Sequence, residues 1–317
     1  MAEALDVLLR AAVVVVAFLV LPLLIGQTEH KVMAHMQGRL GPMYAGGFHG
    51  WAQLVADGVK FAQKEAVVPA AADAPVFRIA PAVSLVPYLV ALAAVPLSPT
   101  LVAADIDAGL LFVLAASAVG VLGTLMAGWS SANKYALVGA LRAAAQLLAY
   151  ELPLVLAATS VAMLAGTLSI VGIGQAFSWL WVTQLPGLFV FLVAGVAELQ
   201  RPPFDMPLAD SEIVVGPLTE YTGLRFALFL LAEYAGILVV SGLTAVLFLG
   251  GWHGPWSDTL GPVWTLLKTF AVAFVVIWIR VSWPRLREDQ LQKLAWGVLV
   301  PVALAQLALT AVVVVAF

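Results

Sequence analysis

The chain has 317 residues, of which 63% are hydrophobic and only 10% charged, with a net charge of −3. A soluble domain averages about 25% charged residues and roughly half apolar ones, so a soluble interior could not hide this excess and the lipid bilayer is the solvent for most of the chain. Zero cysteines exclude disulfides, thiolate-held iron–sulfur clusters and cysteine nucleophiles, and no basic patch of the nucleic-acid-binding kind is present.

Apolar stretches of about 20 residues predict membrane-spanning helices. Eight occur, over 5–27, 77–98, 108–129, 143–166, 184–199, 224–249, 262–283 and 294–316, which predicts an all-α polytopic membrane protein forming one membrane domain over 1–317. The first carries Arg10 near its start. It is too long for a signal peptide and has no small-residue cleavage site. After it, Phe48 to Lys64 places Trp51, Leu54, Val55 and Val59 on one helical face, the pattern of an amphipathic helix along the interface. A second interfacial segment is expected over Ile173 to Val182, with Trp179 and Trp181 as anchors at headgroup level. Pro186 interrupts the fifth span, the shortest. No soluble domain, linker, low-complexity run or internal repeat is evident.

The basic residues give an orientation. Apart from Arg10 and Lys268, every Lys or Arg falls in or beside alternate loops: Lys31, Arg39, Lys60, Lys64 and Arg78 in loop 1–2, Lys134 and Arg142 in loop 3–4. Arg201 and Arg225 belong to loop 5–6, and Arg280, Arg285, Arg287 and Lys293 to loop 7–8. The intervening loops carry none. The positive-inside asymmetry predicts that these four loops are cytoplasmic and both termini outside.

Ionisable groups inside hydrocarbon are informative because each costs several kcal/mol unless paired or hydrated. Glu151, Glu198, Glu233 and Lys268 are the candidates. Arg142, Gln146 and Tyr150 share one helix face leading to Glu151, and Pro153 follows. Glu198 precedes Arg201 by about one turn. One reading makes each carboxylate half of an ion pair that holds helices together. Three glutamates and a lysine in one apolar chain without a ligand motif favour a proton or ion path. Loop 5–6 concentrates further polar groups: Arg201, Phe204, Asp205, Asp210, Glu212, Glu220 and Tyr221, interrupted by prolines. Such a loop is expected to line a cavity or meet another protein; the other readings are a solvated loop and a carboxylate metal site, whose spacing matches no known cation loop. His30, His35, His49 and His253 have no ligand spacing, and no nucleotide fingerprint or catalytic triad occurs. The residues alone thus describe a cytoplasm-facing proton or ion translocator with a partner surface.

Three blocks carry a family resemblance. The first runs from Glu29-His30-Lys31 through Arg39-Leu40-Gly41-Pro42 to Gln53, Asp57-Gly58, Lys60 and Lys64-Glu65. The second is Asn133-Lys134-Tyr135 through Gly139, Arg142 and Gln146 to Tyr150-Glu151; the third is Ala197-Glu198, Arg201, Pro203-Phe204-Asp205, Glu212, Glu220-Tyr221, Arg225-Phe226-Ala227 and Ala232-Glu233-Tyr234. A weaker fourth is Arg280 to Leu291. Across nearly the whole chain the sequence resembles the H-type membrane subunit, also called subunit 1, of proton-pumping NADH:quinone oxidoreductase, respiratory complex I.

The resemblance implies a multi-pass subunit of the bacterial inner (plasma) membrane that joins an electron-transfer arm to the proton-pumping subunits. It implies that Arg39, Arg201, Phe204, Asp205 and Glu212 border a quinone chamber. Glu151, Glu198, Glu220 and Glu233 would lie on the proton-conducting or coupling route. Quinone is the implied substrate, with NADH and the iron–sulfur clusters on partner subunits, no cofactor or metal held by this chain, and other complex I subunits and the bilayer as its surroundings. The chain departs from the family at Met43-Tyr44-Ala45-Gly46-Gly47 after Pro42, at His30, and at Leu208 and Asp210. The Gly216 to Tyr221 segment is also similar to the homologous subunit of proton-pumping membrane-bound hydrogenases and formate hydrogenlyases, the alternative family. A transporter or non-catalytic scaffold is the remaining class, though a transporter would be expected to show paired broken-helix repeats.

Overall fold

A computed structural model describes residues 2–316, with side chains from Leu8 onward except those of Asp210 and Ser211. In chain order the helices are α1 (Ala2–Met36), α2 (Gln53–Gln63), α3 (Ala74–Ala94), α4 (Gly109–Ser130), α5 (Lys134–Ala165) and α6 (Ile170–Gln175), then α7 (Leu185–Glu198), α8 (Asp210–Ile213), α9 (Gly223–Leu247), α10 (Ser257–Ser282), α11 (Glu288–Leu294) and α12 (Val300–Ala316). Among the described residues, eight helices are long and apolar enough to cross a membrane: α1, α3, α4, α5, α7 with the 3-10 turn before it, α9, α10, and α11–α12 joined through a π-turn. The eight spans and the all-helical class match what hydropathy predicts.

Several helix ends lie elsewhere than hydropathy places them. The first span was expected to stop at residue 27, yet α1 continues to Met36 and ends where Gly38 adopts φ +70°. At 1.5 Å per residue its 35 residues reach about 52 Å, well beyond a hydrocarbon layer of about 30 Å. Glu29, His30 and Lys31 therefore belong to a helix, not to a loop. The fourth span starts nine residues earlier than expected because Asn133 caps α5, its Oδ1 accepting from the Tyr135 N–H at 2.9 Å. The helix then runs unbroken through Pro153 to Gly166, the left-handed residue (φ +69°) that ends it.

Close packing at one interface is set by glycine. A Cβ on Gly123 of α4 would lie 2.4 Å from the backbone nitrogen of Ser84, and one on Gly120 would lie 2.9 Å from the ring of Tyr88. The small residues let α3 and α4 approach until Tyr88 is buried between them. The amphipathic segment also differs from expectation. Its Leu54 turns inward toward Gly26 of α1, and Phe61 packs on Phe226 of α9 at 5.8 Å, while Trp51, Val55 and Val59 are exposed. Of the two expected tryptophan anchors, Trp179 is exposed, but Trp181 is buried and donates to the Leu247 carbonyl at 2.6 Å, so it locks α9 to the 3-10 turn.

Candidate functional site

Four elements converge on one buried ionic cluster. Glu29 comes from the extended part of α1, Arg201 from the turn after α7, Glu233 from α9 and Arg280 from the last turn of α10. Arg201 and Glu29 are each 1% exposed. The Arg201 guanidinium donates to Glu29 and sends its Nε to Glu233 at 2.7 Å, while Arg280 donates to the second oxygen of Glu29. The Tyr234 ring lies 4.9 Å from the guanidinium carbon of Arg201 and adds a cation–π contact. Two carboxylates and two guanidiniums balance, the condition for holding four charges in a low dielectric.

Arg201 can reach this position because the chain reverses sharply after α7. Gln200 adopts φ +55°, and Pro202-Pro203, joined by a cis bond, follows. The turn is fastened from α5: the Gln146 amide donates to the carbonyls of Ala197 (2.6 Å) and Phe204 (2.7 Å). Phe204 is buried with its ring 5.4 Å from that of Tyr150. Thus the expected face of Arg142, Gln146 and Tyr150 does form, and it grips loop 5–6.

Glu233 has a second environment. It lines a cavity of about 60 Å³ together with Glu198, Tyr88, Ser84 and Thr124. That volume accommodates a few waters, and its polar lining supplies their partners. Glu151 is partly buried on α5. Of the three membrane glutamates singled out by hydropathy, Glu233 and Glu198 thus share one cavity, while Glu151 lies on α5, which packs against α7. Arg201, one turn after Glu198, pairs instead with Glu29 and Glu233.

Lys268 stands apart from these glutamates. Its ammonium donates to the carbonyls of Leu249, Gly251 and His253, each at 2.8 Å, and so closes the loop after α9. Arg142 likewise leaves the membrane glutamates alone.

A second cluster lies nearer the loop surface. Arg285 reaches Asp205 at 2.8 Å and Glu212 at 3.1 Å; Arg142 donates to the other oxygen of Glu212 at 2.6 Å and approaches Glu288 at 4.0 Å. The hydrogen bond from Arg142 holds the Glu212 carboxyl below its ordinary value of 4.5, with Arg285 acting in the same direction. A depressed carboxylate stabilises the fold above its unfolded value, and that contribution is lost as pH falls through the folded value. Hydrogen exchange of backbone 203–213, corrected for intrinsic rates, is accordingly expected to speed up below about pH 4.5, and Glu212→Gln should remove the dependence. With Glu212 41% exposed, the effect is local and weakened by salt. An unchanged acid limb in the Gln variant would assign it to another group.

Glu220 and Arg39 stand apart from both clusters. Glu220 accepts from the Asn133 amide at 2.7 Å, beside Tyr221, whose hydroxyl donates to the Phe77 carbonyl at 3.0 Å. Burial pushes the Tyr221 phenol up to about 12, so it remains a donor at any physiological pH. Arg39 is exposed after the end of α1, where its Nε donates to Gln37 Oε1 at 2.9 Å. Asp210 has its side chain outside the described residues. Glu29, Arg280 and Arg285 hold the two clusters together and were not singled out individually as site residues. No three His, Asp or Glu side chains converge to hold a metal ion among the described residues.

These features define a class: a helical membrane protein whose bundle carries paired carboxylates and guanidiniums at one end, opening onto a small polar cavity. The family model described as NADH dehydrogenase matches residues 9–311, and the chain belongs to that family. It is similar to the H subunit of NADH-quinone oxidoreductase from Geobacillus kaustophilus, with 46% identity over 306 residues, 95% of this chain and 90% of the relative. The protein of the same name from Anoxybacillus flavithermus is 47% identical over 289 residues, 90% of this chain and 87% of the relative. That of Bacillus cytotoxicus is 46% identical over the same length and shares.

Proposed function

We propose that this chain carries the coupling step of a proton-translocating NADH:quinone oxidoreductase, joining quinone reduction to proton movement in the membrane. Its family and its relatives make it the H subunit of that complex, a multi-pass protein of the bacterial plasma membrane, and favour this reading over a membrane-bound hydrogenase. NADH oxidation and the iron–sulfur clusters belong to partner subunits.

The observation that carries the coupling role is the double membership of Glu233, which pairs with Arg201 at 2.7 Å and also lines the cavity shared with Glu198. Quinone takes up two electrons, and the two protons that complete the neutral quinol are drawn from groups nearby, so its reduction beside loop 5–6 leaves a change of charge on those groups. Asp205 and Glu212 are held by Arg285, and Gln146 links that loop to the chain next to Glu198. A change of charge at Asp205 shifts the balance of the guanidiniums, and the glutamate series answers by taking up or releasing protons. On this reading Arg39 and Asp205 face the quinone side of the route, and Arg201, Phe204 and Glu212 shape its wall.

Arg39→Ala and Asp205→Ala are each expected to lower quinone-dependent turnover several-fold, while electron transfer from NADH to an artificial acceptor upstream stays nearly intact. Equal loss of both activities would refute the chamber assignment. The orientation is tested separately. Because the chain has no cysteine, single cysteines label cleanly; those near 60, 134, 210 and 288 should react from the cytoplasm and those near 104 and 256 from outside. Two reversed positions would overturn the topology.

A further inference from the structure

The cavity between Glu198 and Glu233 carries more polar groups than those two carboxylates. Ser84 and Tyr88 reach it from one face of α3, Thr124 from α4 and Gln200 from the turn after α7. Among the described residues, the hydroxyls of Ser84, Tyr88 and Thr124 and the Gln200 amide make no hydrogen bond to another protein group. Tyr88 is nevertheless only 6% exposed.

Two glycines cut the seat in which the Tyr88 ring lies. A Cβ on Gly120 of α4 would come to 2.9 Å from the ring and 3.2 Å from the hydroxyl oxygen. One on Gly236 of α9 would come to 3.2 Å from the ring carbon that bears the hydroxyl. Gly120 precedes Thr124 by one turn, and Gly236 follows Glu233 by just under one turn, so the seat and the cavity share the same helix faces. A ring clamped in this way holds its oxygen in place, while the hydroxyl proton stays free to swing about the C–O bond. Packing alone would be served better by phenylalanine, since burying a hydroxyl that finds no partner costs about 1–3 kcal/mol. The cavity supplies acceptors for it in the carboxylates of Glu198 and Glu233.

We propose that the Tyr88 hydroxyl passes protons between Glu233 and Glu198. The proposal rests on the coupling reading above and names one link within it. A hydroxyl both donates and accepts, and a phenol keeps its proton at physiological pH, so Tyr88 carries protons without storing charge. The protonated carboxyl gives its proton to the phenol oxygen. As that O–H bond forms, the original phenol O–H bond breaks, and its proton goes to the other carboxylate. One proton moves, no electron does, and rotation of the hydroxyl resets the link. Ser84, Thr124 and Gln200 orient water within the same cavity.

The test compares Tyr88→Phe with Glu233→Gln in membrane vesicles, reading NADH-driven quinone reduction per assembled complex in H2O and in D2O. Phenylalanine fits the same glycine seat, so assembly should stay near wild type. Quinone reduction in Tyr88→Phe should fall several-fold, and its ratio of rates in H2O and D2O should rise above that of the wild type, because proton passage becomes limiting. Wild-type turnover in Tyr88→Phe beside a slow Glu233→Gln would overturn the hydroxyl link and leave the coupling reading standing. Wild-type turnover in Glu233→Gln would overturn both, whatever Tyr88→Phe does. An unchanged isotope ratio in Tyr88→Phe, with turnover or assembly reduced, would make the ring a packing element and overturn the link.

Discussion

Replacing Arg201 with methionine is expected to give the largest loss of assembled complex of any single substitution in this chain. Arg201 is 1% exposed and stands between Glu29 and Glu233, so methionine fills much of its volume but leaves two carboxylates facing each other with Arg280 as their nearest compensation. Breaking a buried pair by removing one partner costs about 3–5 kcal/mol, because the remaining charge is stranded in a low dielectric. Arg201→Lys should recover part of the loss. Its ammonium is a single point of charge and cannot make the forked contact to two carboxylates that guanidinium makes. Glu29→Gln should be intermediate, since the amide still accepts one hydrogen bond. The amount and thermal stability of the detergent-solubilised complex measure this order. A methionine variant assembling at wild-type levels and melting normally would show that the cluster does not hold α1, α9 and α10 together.

Glu233→Gln is expected to act on turnover instead. The amide keeps the shape and still presents an oxygen to the Arg201 guanidinium, so assembly should be nearly normal. It cannot take up and release a proton, and it removes one negative charge from the cavity shared with Glu198. Quinone reduction should therefore fall several-fold in fully assembled complex. Glu233→Asp should retain more, limited by the reach of the shorter side chain. A purely structural glutamate would show the opposite pattern, with stability reduced and turnover per complex unchanged.

The span map and fold class were legible in the sequence because bilayer length and hydropathy leave few alternatives. The membrane glutamates were legible for the same reason: a carboxylate in an apolar run stands out. What the sequence did not reveal was partnership. Glu29 lies just past the predicted end of the first span, and nothing local says that α1 continues in helical register until Gly38. Arg280 and Arg285, near the end of α10 and just beyond it, looked like ordinary positive-inside residues, yet one closes the Glu29 cluster and the other holds Asp205 and Glu212. Nor did the sequence say that Lys268 is taken by carbonyls at a helix end and Arg142 by a loop carboxylate. Pairings across 172 residues, as between Glu29 and Arg201, depend on tertiary packing that one-dimensional periodicity does not encode.

The coupling role stands on Glu151, Glu198 and Glu233 forming one protonic series. The most direct measurement is NADH-driven quinone reduction and acidification in the same membrane vesicles, with the amount of assembled complex determined in parallel, for glutamine at each of the three positions. Both rates are expected to fall together and several-fold in every variant while assembly stays near wild type, because in the proposed route the carboxylates act in sequence. Glutamine variants at all three positions that assemble, reduce quinone and pump at wild-type rates would contradict the series and leave the three glutamates as structural residues.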